Sequence, residues 1–407
     1  MNKAITFLRD GQAQVRLPAS KSIACRALML QALGGGTVEM DAQDSCDDIE
    51  ALRRGLAVTE GHIDVGRAGA ALRFLTAYHA AMPGHDVTLT GDERLCERPM
   101  RPLIEALRTM GANVNCLRAE GHAPLRVVGR TLHGGEVTMR GDVSSQFVSA
   151  LLMVAPLVGG LRLFLTDHVV SAPYIDMTLG LMERFGVRGT WRGNGLEVAA
   201  GKYVPAIVDV EGDWSAAAFW LALQVLLPAT QVKLYGLQKE SLQGDARIVE
   251  ILRQMGVEVQ WGAEGQVTAS ACRMAECCCS TYADLTGTPD LAPVLAVLLC
   301  LMGRPWRLTG LSTLRHKESD RMEALRTELK KVGYLVTIEG NEAMSWHFAT
   351  CEPMPQPVVT THGDHRIAMA MTLPATRFPG LTIADAEVVN KSYPRFWNDL
   401  AQLCLPG

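Results

Sequence analysis

Apolar positions along this chain gather into long stretches. Each is introduced by a short polar or charged cluster, closed by Gly or Pro, and followed by a strand pattern. Six clusters open them: Ser20-Lys21-Ser22, Arg67-Ala68-Gly69, Ser144-Ser145-Gln146, Asp213-Trp214-Ser215, Pro289-Asp290 and Asp364-His365-Arg366. The stretches predict helices that stop near Gly34, Gly84, Gly159, Pro228, Gly303 and Gly380. Strands are predicted after them at 37–40, 87–90, 161–165, 231–234, 306–309 and 381–384. After a shorter first interval the stops recur roughly every 70 to 77 residues, a period that marks repeats.

A second helix type interleaves with the first, predicted at 101–110, 175–185, 246–255 and 321–332. These helices end at Gly111, Gly186, Gly256 and Gly333, because Gly takes the left-handed conformation that closes a helix. Each repeat therefore reads as strand, apolar helix, strand, amphipathic helix, then one or two strands. The expected fold is mixed α/β: two similar domains, each of three βαβαββ-type units, with the apolar helices inside and sheets outside. Unit counting puts the chain crossings near Ala19-Ser20 and Leu242-Gln243-Gly244. One domain would then be 1–19 plus 243–407 and the other 20–242, with the charged openers facing a cleft that closes on its ligand.

Composition narrows the function. The net charge is −4 and the pI about 6.2, which argues against a nucleic-acid or anionic-membrane binder. The apolar runs at 216–227 and 291–302 are too short to span a bilayer. Eleven Cys and an N-terminus lacking an apolar export segment lead to the expectation of reduced thiols in the cytoplasm. Cys277-Cys278-Cys279 does not match the paired spacing of a zinc site, and these cysteines are read as having no role.

The openers carry the chemistry. Six helix N-termini offer free N–H groups and positive dipole ends, which suit multiply charged anions. Lys21 at the positive end of its own helix calls for a compensating anion, and Arg26 follows on the same face. Ser144, Ser145 and Gln146 are apt hydroxyl and amide ligands for phosphate. Arg315-His316-Lys317-Glu318-Ser319-Asp320-Arg321 is the densest charged run, ahead of a helix expected to start near Ser319. Lys21, Arg26, Arg73, Arg98, Arg321, Arg366 and Lys391 set against Asp290 and Glu318 give an excess of cations. The set points to small, strongly anionic ligands and to proton transfer.

These motifs, in this order and nearly end to end, resemble the 5-enolpyruvylshikimate-3-phosphate (EPSP) synthases. The markers are Pro18-Ala19-Ser20-Lys21-Ser22 with Arg26, Glu97-Arg98-Pro99, Ser144-Ser145-Gln146, Pro173-Tyr174-Ile175-Asp176, Gln243-Gly244-Asp245, Lys317-Glu318-Ser319-Asp320-Arg321 and Asp364-His365-Arg366. The resemblance implies transfer of the enolpyruvyl group of phosphoenolpyruvate to the 5-hydroxyl of shikimate 3-phosphate, without metal or organic cofactor. It implies an inside-out α/β barrel in each domain, and a monomer is expected. By position, Lys21, Ser22, Arg26, Ser144, Ser145, Gln146, Ser171, Tyr174, Asp290, Thr313 and Lys317 would hold shikimate 3-phosphate. Lys21, Gly69, Arg98, Gln146, Arg321, Arg366 and Lys391 would hold phosphoenolpyruvate. Glu318 is the expected acid and Asp290 the expected base, with Lys21 as the alternative base.

The chain departs from the family pattern at two points. The donor loop reads Arg67-Ala68-Gly69-Ala70 where the family has a Thr in the last position, and Thr313 stands where Asn is common. Arg67 and Ala70 are expected to reshape that loop and alter affinity for phosphoenolpyruvate and glyphosate. The alternatives are the sister transferase acting on UDP-N-acetylglucosamine, to which Cys96 near Arg98 lends some weight, and a non-catalytic anion-binding relative. An RNA-end-processing protein of related repeat fold is disfavoured by the acidic balance.

Overall fold

In the computed structural model, residues 1–262, 266–271 and 280–405 are described, and Cys277-Cys278-Cys279 lies outside them. All six apolar stretches form helices: Lys21–Gly34, Gly69–Ala81, Ser145–Val154, Trp214–Leu226, Ala292–Leu301 and His365–Ala370. Strands follow at Gly36–Glu39, Asp86–Thr90, Gly160–Thr166, Gln231–Tyr235, Trp306–Thr309 and Leu381–Ile383. Ala292–Leu301 is apolar on every face because it is enclosed on every face: all ten of its residues are buried.

The chain divides into two compact units, Ser20–Val210 and Met1–Ala19 with Glu211–Gly407. The second crossing thus falls at Val210–Glu211, not near Leu242-Gln243 as the sequence suggested. The reason is packing. Trp214–Leu226 lies against Gln231–Tyr235 and Ala292–Leu301, so the helix belongs to the unit that its polar opener leads into.

Four sheets share one topology. In the first, Glu60–Asp64 pairs parallel with Asp86–Thr90, which pairs antiparallel with Leu125–Val128, which pairs antiparallel with Asn113–Cys116. The same order recurs in the sheets built on Gly160–Thr166, Gln231–Tyr235 and Trp306–Thr309. The repeat is incomplete elsewhere. Among the described residues Gly36–Glu39 pairs only with Ala206–Asp209, and Leu381–Ile383 lies between Val358–Val359 and Lys3–Ile5. Gln12–Arg16 explains part of this: it precedes the first apolar helix in sequence yet pairs parallel with Gln231–Tyr235.

Within Ser20–Val210, the helices Lys21–Gly34, Gly69–Ala81 and Ser145–Val154 pack against one another. In the other unit Ala292–Leu301 packs against both Trp214–Leu226 and His365–Ala370. Each apolar helix thus delivers its polar opener to a fixed place. Among the described residues no helix is long and apolar enough to cross a membrane.

Candidate functional site

In the Ser20–Val210 unit the expected residues fall into three groups. Lys21 is the first residue of its helix, and Ser20 occupies the cap position without a capping side-chain bond. The anion that Lys21 requires comes from the protein: its Nζ lies 3.1 Å from Oδ2 of buried Asp48. Asp48 escaped the sequence reading because Asp47-Asp48 looks like an ordinary acidic first turn, that of Asp47–Leu56.

Arg26, one turn after Ser22, is buried. Its Nε donates to Thr178 Oγ1 at 2.7 Å, Nη1 to the Ser22 carbonyl at 2.9 Å and Nη2 to Ser149 Oγ at 3.1 Å. The rings of Phe74 and Tyr174 lie 5.5 and 6.0 Å from its Cζ. Burial pushes its pKa down to about 10, still high enough to keep the charge at neutral pH. Thr178 and Ser149 were not legible as partners, being single hydroxyls inside helices.

The third group forms around Gly69. Arg73 Nη1 donates to Gln146 Oε1 at 2.9 Å, and the Arg73 guanidinium stands 5.2 Å from the Phe147 ring centre. A Cβ on Gly69 would lie 2.6 Å from Arg73 Nη1 and 2.8 Å from Arg98 Nη1, so both cations press on that glycine. Ser144 caps the helix Ser145–Val154 by accepting from the Gln146 amide, and Ser145 is buried. Arg67 turns outward to Asp92, with Nε 3.0 Å from Oδ2. Ser171 takes φ +56° ahead of the helix Ala172–Arg184, a strained conformation for a residue with a side chain. Its carbonyl accepts from the Tyr174 amide at 3.0 Å.

The other unit gathers its expected residues around Arg321, only 2% of whose side chain is exposed. Nη1 reaches Asp290 Oδ1 at 2.7 Å, Nη2 reaches Glu318 Oε2 at 2.9 Å, and Nε reaches Asp364 Oδ2 at 2.7 Å. Lys317 Nζ is 3.3 Å from Asp290 Oδ1, Lys391 Nζ is 3.0 Å from Glu318 Oε1, and Arg366 Nη2 is 3.8 Å from Asp290 Oδ2. Asp290 sits in the turn Pro289–Leu291, within the acidic first turn that follows Thr288. The helix after the charged run begins at Arg321, capped by Asp320, and not near Ser319. Ser319 instead donates to Asp364 Oδ2 at 3.2 Å. Thr313 lies in the turn Ser312–His316, its hydroxyl buried with no hydrogen-bond partner among the described residues.

Charge explains how such a cluster persists inside a protein. Burial acts against the ionised form of Asp290, but Lys317, Arg321 and Arg366 outweigh it and hold the carboxyl well below its usual range. Burial likewise opposes the charge on Arg321, and Asp364, Asp290 and Glu318 raise its pKa above the ordinary value. Arg366 is raised too: against burial stand Asp290, Asp213 and Asp245. Burial and the nearby Asp290 charge push Asp245 up to about 6, despite the hydrogen bond it accepts from Ser215. In this unit Lys317, Arg321, Arg366 and Lys391 meet Asp290, Glu318 and Asp364, so the cations outnumber the anions paired with them by one. Such a cluster is suited to exchanging partners and protons when a further anion arrives.

Residues 52–400 match the family model described as EPSP synthase (3-phosphoshikimate 1-carboxyvinyltransferase). The chain is 42% identical over 393 residues to the 3-phosphoshikimate 1-carboxyvinyltransferase of Bacteroides fragilis strain YCH46, covering 96% of this chain and 94% of the relative. It is 35% identical to the protein of that name from Methanothermobacter thermautotrophicus, covering 98% of both chains. The EPSP synthase structure from Acinetobacter baumannii superposes with a TM-score of 0.75 at 22% identity, covering 99% of this chain and 98% of that one. The enolpyruvyl transferase NikO from Streptomyces tendae gives 0.70 at 16% identity, covering 98% and 96%. The two structures bear on the fold alone.

Proposed function

The chain belongs to the EPSP synthase (3-phosphoshikimate 1-carboxyvinyltransferase) family, and on that footing we propose how its side chains divide the reaction. That reaction moves the enolpyruvyl group of phosphoenolpyruvate to the 5-hydroxyl of shikimate 3-phosphate and releases phosphate. Each unit is read as three repeats, with helices at its centre and sheets around them. The mutual packing of the apolar helices supports this.

Shikimate 3-phosphate is assigned to Lys21, Ser22, Arg26, Ser144, Ser145, Gln146, Ser171, Tyr174, Asp290, Thr313 and Lys317. Phosphoenolpyruvate is assigned to Lys21, Gly69, Arg98, Gln146, Arg321, Arg366 and Lys391. Asp290 accepts the proton of the 5-hydroxyl as oxygen attacks the central carbon of the donor. Glu318 protonates the methylene carbon. In the second half phosphate leaves with the proton that Asp290 took up, and the methyl group returns a proton to the Glu318 carboxylate. The cations stabilise the departing phosphate.

The observation that carries this reading is the set of contacts around Glu318 and Asp290. Arg321 and Lys391 each touch Glu318, and both are assigned to the donor. When the donor's carboxylate and phosphate draw on those cations, Glu318 loses part of its compensation and its affinity for a proton rises. Binding thus loads the acid that the first step consumes.

Phosphate release separates the acceptors. Mixing the full chain with phosphoenolpyruvate and shikimate 3-phosphate is expected to release phosphate in proportion to added acceptor. UDP-N-acetylglucosamine in its place is expected to release none. Release with the sugar nucleotide alone would assign the chain to the sister reaction.

Gly69→Ala tests the donor group. The backbone tolerates alanine, since Gly69 lies within a helix, but the added methyl displaces the guanidinium ends of Arg73 and Arg98. The expected outcome in steady-state kinetics is a rise of about tenfold in KM for phosphoenolpyruvate, with KM for shikimate 3-phosphate little changed.

A further inference from the structure

One buried carboxylate near the Arg321 cluster has no part in the chemistry above. Glu328 is fully buried, and it lies seven positions after Arg321 in the helix Arg321–Lys331, two turns on and on the same face. Its Oε2 accepts from the Thr360 amide at 3.0 Å and pairs with Lys331 Nζ at 2.7 Å. Its Oε1 meets His362 Nε2 at 2.9 Å. Lys331 Nζ also donates to the Val358 carbonyl at 3.0 Å, so three side chains fasten this helix to residues 358–362.

The fastened segment leads straight to the cluster. His362 takes φ +54°, a conformation that costs energy in a residue with a side chain and needs something to hold it. The Asp364 amide donates to the Thr361 carbonyl at 2.9 Å, closing a turn. Asp364 then accepts from Arg321 Nε and from the Arg366 amide, the latter at 2.8 Å. One helix therefore grips one segment at two points, Arg321 to Asp364 and Glu328 to Thr360 and His362.

We propose that Glu328 is a positioning residue for the donor-binding cations, setting the turn through Thr360 and His362 so that Asp364 aligns Arg321 and Arg366. The proposal rests on the assignment of Arg321 and Arg366 to phosphoenolpyruvate. Glu328 touches no reacting atom. Its loss frees the strained turn, moves Asp364, and misaligns two guanidinium groups without removing either.

The test is steady-state kinetics on the full chain for Glu328→Ala, Glu328→Gln, His362→Asn and, as reference, Arg366→Ala, with thermal melts alongside. Glu328→Ala is expected to raise KM for phosphoenolpyruvate about tenfold or more, and KM for shikimate 3-phosphate less than about twofold. Glu328→Gln, which keeps an oxygen for the Thr360 amide, is expected to recover most of that loss. His362→Asn accepts the left-handed backbone, removes the ring, and is expected to give the same split at smaller size. It keeps the test open if Glu328→Ala does not fold. Folded Glu328 and His362 variants with unchanged KM for phosphoenolpyruvate, or with both KM values raised equally, would overturn the clamp while Arg366→Ala still raised the donor's KM. An unchanged donor KM in Arg366→Ala would bring down the clamp together with the assignment beneath it.

Discussion

Glu318→Gln is expected to lower kcat by about 100- to 10,000-fold, the usual worth of a positioned acid, with both KM values changed far less. The substitution keeps the shape of the side chain and one oxygen acceptor. It removes the group that carries a proton to the methylene carbon and takes one back. The amide also points N–H bonds where Arg321 Nη2 and Lys391 Nζ now approach at 2.9 and 3.0 Å, so a modest change in donor binding accompanies the loss. Single-turnover kinetics separate the two effects. A kcat within a few-fold of the parent would take the proton transfer away from Glu318 and return it to Asp290 or Lys21.

Arg321→Met is expected to abolish measurable turnover and to cost about 3–5 kcal/mol of stability, the range for removing one partner of a buried ion pair. The substitution leaves Asp290, Glu318 and Asp364 facing a thioether. The pH dependence distinguishes this from simple loss of packing. In the parent, Asp290 is held well below its ordinary value of 3.8. The stability from that shift is full above the unfolded pKa and drains away as pH falls below it. The variant lacks one of the cations that hold Asp290 down, so part of that stability is lost. The deficit is full at neutral pH and shrinks as pH falls below about 4, where the Asp290 carboxyl of the unfolded chain takes up its proton. Urea denaturation at neutral and acidic pH measures both. A deficit that is the same at both pH values would contradict the charge account.

The apolar periodicity placed all six buried helices, but the sixth, expected to stop near Gly380, ends at Ala370 and gives way to the short turn Leu373–Thr376. Trp306–Thr309 forms on the residues predicted for it. The chain crossing at Val210 was misplaced because the parallel pairing of Gln12–Arg16 with Gln231–Tyr235 joins residues more than 200 positions apart, which no local pattern announces. Cations were easier to find than their partners. Lys21, Arg321 and Arg366 stand in dense polar clusters, whereas Asp48 resembles a helix-opening acid and Glu328 one more charge on an amphipathic helix. Ser149 hides inside an apolar helix and Thr178 inside an amphipathic one, and only the fold shows that they hold Arg26.

Deuterium transfer tests the central claim most directly. Protonating the methylene carbon of phosphoenolpyruvate makes a methyl group, and removing any one of its hydrogens restores the double bond. In D2O with both substrates, mass spectrometry of the vinyl group is expected to show deuterium entering at a rate comparable to turnover in the parent. In Glu318→Gln that rate is expected to fall by the same factor as kcat. Deuterium entering the vinyl group of Glu318→Gln at the parental rate would contradict the account.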